Sequence, residues 1–155
     1  MNRKEILEWY RQEFDKISKG ISNKKNLSYF DFLRIRNFKL QNSSRDNKEN
    51  VKEITKKAFN LAKKDEIEEA ISKLLKLHGV AIPIASTILA MKYPDKYCII
   101  DRIVLKNIGK EEWLKQYLSN PKIYKEYLLL MRKLAKNKNM DLRNFERNLF
   151  ENGSI

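Results

Sequence analysis

Residues 82–91 carry no charged side chain and only two polar ones, Ser86 and Thr87. Pro83 stands near their start, where a helix tolerates proline because the missing N–H would have no intrahelical partner. A helix without a polar face has to be enclosed by protein on every side. Its ten residues fall far short of the ~18–20 apolar residues needed to cross a bilayer. The rest of the chain must therefore supply enough elements to surround one central helix.

It supplies them as amphipathic helices. No stretch alternates apolar and polar residues for the length of a strand, and only four glycines and three prolines punctuate the sequence. Ile6, Tyr10, Phe14, Ile17 and Ile21 recur at helical spacing, with Gly20 near the end of their helix. Ser28 followed by Asp31 reads as a capping box ahead of Tyr29, Phe32, Leu33 and Phe38. Residues 41–50 are the most loop-like. Val51, Ile54, Ala58 and Leu61 set out a third helix, and Asp65 is placed to cap a fourth that carries Ile67, Ala70, Ile71, Leu74 and Leu75.

Beyond the apolar helix, residues 93–96 form a turn and 97–100 an extended or irregular stretch. Asp101 begins a further helix that Gly109 ends, and Trp113 and Tyr117 fall on a short one. Asn120 and Pro121 open a helix carrying Ile123, Tyr127, Leu130, Met131 and Leu134, and a last helix from about Asp141 carries Leu142, Phe145 and Leu149. The expectation is one compact all-α domain over residues 1–155, built from about eight or nine helices.

Composition narrows the chemistry. At 155 residues and 42% hydrophobic, the chain can bury roughly 70% of its unfolded surface around one core. A single cysteine, Cys98, excludes an internal disulfide, a cysteine zinc site and an iron–sulfur cluster, and a single histidine, His78, excludes paired-histidine metal motifs. The charged opening residues lead into an amphipathic helix and not into a signal-peptide core, so a soluble, cytoplasmic protein without a membrane partner is expected. The net charge of +13 and pI of about 9.7 point to an anionic partner, nucleic acid first and an acidic membrane surface second. The charge is uneven. Residues 1–65 carry +8, residues 66–101 carry −1 and residues 102–155 carry +6.

The nearly neutral middle holds the informative motif. Leu74, Leu77, Gly79, Val80, Ala81 and Pro83, followed by Tyr93-Pro94-Asp95 and then Ile99-Ile100-Asp101, resemble the helix-hairpin-helix core of the DNA glycosylase superfamily, and in particular its small members. The match is convincing over residues 74–104 and weaker back to 51; residues 1–50 and 110–155 share only helical character. It implies a helix-hairpin-helix unit at about 66–93, with the segment of the catalytic aspartate at 94–109.

By this resemblance Asp101 is the catalytic carboxylate, which stabilises positive charge on the sugar as the base departs. The bland alternative is an ordinary helix N-cap, and the two roles are compatible. The hairpin residues Gly79, Val80, Ala81 and Ile82 would anchor a DNA phosphate through backbone N–H groups at a positive helix terminus. Their alternative is a plain turn between packed helices. The resemblance also allows a monovalent cation at the backbone carbonyls of Leu77 and Gly79. Where some relatives place a Schiff-base lysine, this chain has Pro83, which implies a monofunctional mechanism with water as nucleophile; the absence of any cysteine after Cys98 implies no iron–sulfur cluster.

Lys39, Arg45, Arg34 and Arg36 flank the loop-like stretch and offer phosphate contacts, against a solvated basic face as the alternative. Tyr29, Phe32 and Tyr97, with Phe38 and Tyr93, are candidates for a base pocket, against core packing. The reading is a monomeric glycosylase acting on duplex DNA with a damaged or mismatched base. Its rivals are a non-catalytic helix-hairpin-helix module that binds DNA as an accessory protein, and a structural helical protein whose basic surface is incidental.

Overall fold

A computed structural model describes residues 1–39 and 46–153, and among them every regular element is helical. In chain order these are α1 (Arg3–Ile21), α2 (Tyr29–Lys39), α3 (Lys48–Lys63), α4 (Ile67–Leu74), α5 (Ile82–Lys92), α6 (Arg102–Asn107), α7 (Pro121–Asn137) and α8 (Leu142–Asn152). A single 3-10 stretch, Glu111–Lys115, lies between α6 and α7.

The local signals explain most of the boundaries. Ser28 and Asp31 form the expected capping box at α2: each side chain accepts the other's backbone N–H, at 3.0 and 3.1 Å. Asn2 and Glu5 make the same reciprocal pair at α1. Asp101, Asn120 and Asp141 cap α6, α7 and α8. Two boundaries differ from expectation. Asp65 sits one residue too early to cap α4, in a left-handed turn at φ 62, and Glu66 takes the cap position without a side-chain bond. The Asp65 carboxylate accepts instead from both Nη atoms of Arg132, at 3.0 and 2.8 Å, a tie between the α3–α4 turn and α7. Trp113 lies in the 3-10 stretch, while Tyr117 falls beyond it.

All eleven residues of α5 are buried, and α1, α2, α3 and α4 pack around it. Each Ile or Leu fully withdrawn from water there contributes about 1.5–3 kcal/mol. The few polar groups on α5 are satisfied internally. Ser86 and Thr87 donate their hydroxyl hydrogens to the Pro83 carbonyl, at 2.9 and 2.7 Å. Lys92, 8% exposed, donates to the carbonyls of Ile21 and Ser22 and so closes the C-terminus of α1. Burial pulls its ammonium below the ordinary lysine value.

Residues 97–100 have no regular structure and are buried, so their backbone groups need partners from elsewhere. Tyr124 on α7 donates to the Cys98 carbonyl at 2.9 Å, Tyr127 to the Ile99 carbonyl at 2.6 Å, and the Ile100 N–H donates to Ser86 Oγ at 3.1 Å. Arg132 holds the Lys96 carbonyl just before them. This fastening sets where Asp101 emerges. Ser86→Ala leaves the Ile100 N–H buried without an acceptor and is expected to cost about 1–3 kcal/mol, read as a lower urea midpoint at unchanged slope.

Candidate active site

Asp101 stands at the head of α6 with its side chain 14% exposed. Oδ1 accepts the Val104 N–H at 2.8 Å, and Oδ2 lies 3.9 Å from the ammonium of Lys39 at the end of α2. The capping role and an accessible carboxylate thus coexist. Beside them opens a cavity of about 120 Å³, comparable to the roughly 150 Å³ that accommodates a benzene ring in an engineered protein core.

Three segments complete the cavity wall. Leu7, Tyr10 and Arg11 come from α1, Phe38 and Lys39 from α2, and Arg143, Glu146, Arg147, Phe150 and Glu151 from α8; Ile99 adjoins Asp101. The lining thus combines aromatic and aliphatic side chains with acid–base groups. Arg11 donates through Nε and Nη2 to Glu151, at 3.0 and 2.7 Å, and Arg147 pairs with Asp15 at 3.1 Å.

Glu146 is the residue that the sequence reading missed. It is 3% exposed, and its Oε2 accepts from Arg143 Nη1 at 2.9 Å. Burial pushes its carboxyl up to about 7; the Arg143 guanidinium pulls the other way, and the negative charge of Asp101 adds to the rise. Arg143 is itself pulled below the ordinary guanidinium value by burial, and its guanidinium lies 3.6 Å from the centre of the Phe14 ring. The signal was present in the spacing: Arg143, Glu146, Arg147 and Phe150 recur every three or four residues along one face of α8.

Of the expected base-pocket rings, Phe38 lines the cavity, and Tyr29, Phe32, Tyr93 and Tyr97 lie elsewhere. Phe32 and Tyr97 are fully buried in the core, and the Tyr97 hydroxyl is held by the Ala62 carbonyl at 2.8 Å. Tyr29 is partly buried and packs against the same core. None of the three lines the cavity; Tyr10, Phe38 and Phe150 do. The period-3.6 pattern marks which face turns inward, and it does not separate a core position from a cavity wall.

At the connection between α4 and α5, Gly79 adopts φ +69 and is exposed. The Ile82 N–H, expected to be free for phosphate, donates to the Leu118 carbonyl at 3.0 Å, and the Val80 N–H donates to Leu77 at 3.2 Å. Those of Gly79 and Ala81 have no acceptor among the described residues. Two of the four expected donors are thus spent on the fold, because the turn closes on itself and on the segment before α7.

Arg36, expected as a phosphate contact, is 2% exposed and donates to the His78 carbonyl at 3.2 Å. A Cβ built on Gly79 would fall 2.5 Å from its Nη2. With the Leu77 carbonyl already accepting from Val80 and this guanidinium against the turn, Leu77 and Gly79 do not fit a monovalent cation, which would meet a fixed like charge. Arg34 is engaged by Glu13 at 2.9 Å. Arg45 lies outside the described residues. Among the described residues no group of three or more His, Cys, Asp or Glu is arranged to hold a metal ion, and no helix is long and apolar enough to cross a membrane.

Compared with known proteins, the chain matches no family model, and no curated protein or solved structure matches it.

Two outcomes are expected from this geometry. Gly79→Ala must hold alanine in the left-handed region, costing about 1–2 kcal/mol, and must also displace the buried Arg36, so thermal unfolding should show a loss of at least that size. Glu146 binds more protons folded than unfolded between its ordinary 4.5 and about 7, so stability falls as pH rises through that window, by at most about 3 kcal/mol. In Glu146→Gln that fall disappears from the pH dependence of the urea midpoint.

Proposed function

We propose that the chain hydrolyses the N-glycosidic bond of a damaged or mismatched base in DNA, acting as a monomeric, cytoplasmic, monofunctional base-excision enzyme. The observation that carries this reading is Asp101 on the wall of a ring-sized cavity, at the end of a segment that α5 and α7 hold in place. A base inside a duplex is out of reach of any side chain, so the target nucleotide has to leave the stack and enter a pocket. Tyr10, Phe38 and Phe150 give that pocket its apolar faces.

Asp101 then acts electrostatically. As the bond between C1′ and the base nitrogen breaks, positive charge develops on the sugar, and a fixed carboxylate stabilises it before water adds to C1′. Lys39 stands near enough to steer a phosphate toward the site. The free N–H groups of Gly79 and Ala81, at the positive end of α5, supply a second phosphate contact. Pro83 offers no amine at the hairpin helix, which supports hydrolysis by water over strand cleavage through a Schiff base.

The same two N–H groups favour the second reading, a DNA-binding accessory module, because they need nothing from Asp101. A panel of duplexes, each with one alkylated purine, oxidised guanine, uracil or mismatch, separates the two when abasic sites are read by alkaline cleavage. Excision by the wild-type chain that falls by about 10²–10⁴-fold in Asp101→Asn, with DNA affinity retained, is expected. Full excision by Asp101→Asn refutes the catalytic assignment, and salt-dependent binding without base release by the wild type establishes the accessory reading.

A further inference from the structure

We propose that Glu146 is the proton donor of this cavity, delivering its carboxyl hydrogen to a ring nitrogen of the departing base while Asp101 faces the sugar. The inference rests on the excision reading and adds to it a second working group and a chemical demand on the substrate: a base that leaves only when protonated.

Three observations carry it. Glu146 and Asp101 line one cavity although they come from opposite ends of the fold's last third, one on α8 and the other at the head of α6. Their surroundings differ. Asp101 accepts a backbone N–H and has Lys39 within 3.9 Å. Glu146 is buried, and its hydrogen-bond donor among the described residues is one arginine, bound to one of its two oxygens. The other oxygen, Oε1, has no hydrogen-bond donor among the described residues.

The charged and titratable groups around Glu146 agree with a protonated form available near neutrality. Arg143 and Arg147 on α8 and Lys39 on α2 favour its charge, while Asp101 and the burial itself oppose it, and the opposing pair prevails with the carboxyl near 7. Cys98 and Tyr127, from the segment 97–100 and α7, also sense its charge, and burial raises both of them, so neither is ionised near neutrality. Arg11, across the cavity, is occupied by Glu151.

The step balances without a further reactant. The C1′–N bond breaks with its electron pair going to the base, which takes the proton from Glu146. Water adds its oxygen to C1′ beside Asp101 and releases a proton to solvent, and Glu146 is reprotonated from solvent. The products are the free base and an abasic site.

The test uses the full chain. With glutamate labelled at the carboxyl carbon and the Glu146 signal assigned by Glu146→Gln, its titration should centre near 7 in the wild type and move down in Asp101→Asn, where the neighbouring charge is gone. A midpoint below 5 overturns the proposal. Single-turnover excision of a released base should fall about tenfold per pH unit above the midpoint in the wild type, and Glu146→Gln should be slower by about 10²-fold and without that limb. Glu146→Gln at the wild-type rate and profile overturns this inference and leaves the excision reading standing. A wild-type chain that releases no base from any lesion duplex overturns both.

Discussion

Everything proposed for this chain depends on how residues 97–100 are held. They are buried and outside any helix, so their carbonyls and N–H groups would be orphans unless other elements answered them. The hydroxyls of Tyr124 and Tyr127 reach in from α7, and Ser86 reaches out from α5. Each bond is modest in net worth, but leaving its buried partner unmade costs about 1–3 kcal/mol. Asp101 follows directly. Its position is therefore set by two core helices, a firmer support than a surface loop of the same length would give.

The central helix imposes the complementary constraint. Because α5 is buried on all sides, its chain can carry almost no charge there, and the surplus of basic residues is forced into the flanking arms. Those arms fold into α1, α2 and α8, which wall the cavity beside Asp101. Within the cavity the cations are paired: Arg11 with Glu151, Arg143 with Glu146, Arg147 with Asp15, and Lys39 more loosely with Asp101. The net positive field thus arises mainly outside the cavity, where it can attract a polyanion without neutralising the two acids inside.

The helices were legible in the sequence because their determinants are local. Apolar residues at three- and four-residue spacing and caps such as Ser28, Asn120 and Asp141 specify where each begins and which side turns inward. Asp65 shows the limit: a one-residue offset, set by the left-handed turn after α3, moved it from a cap to an ion pair with Arg132. The site was half legible. Asp101 and Gly79 were singled out by a short resemblance that neighbouring residues carry. Glu146 is 45 residues from Asp101 along the chain, and Tyr10 and Phe38 are farther still, so only the packing of α1, α2 and α8 brings them to one cavity. Arg36 failed as a surface contact for the same reason: a long basic side chain reads as exposed until the fold shows what lies over it.

The pairing of Asp101 with Glu146 is more than proximity. Their surroundings differ: an N-cap position with a backbone donor for one, and a buried helix face with a single arginine for the other. The negative charge of Asp101 itself helps keep Glu146 protonated, so the group proposed to face the sugar also maintains its neighbour's acid form. That coupling rests on the burial of Glu146, since screening weakens such an interaction across a solvated gap. The same arrangement would be of little use to a protein that only grips phosphates, for which a buried acid facing an open cavity adds cost and no affinity.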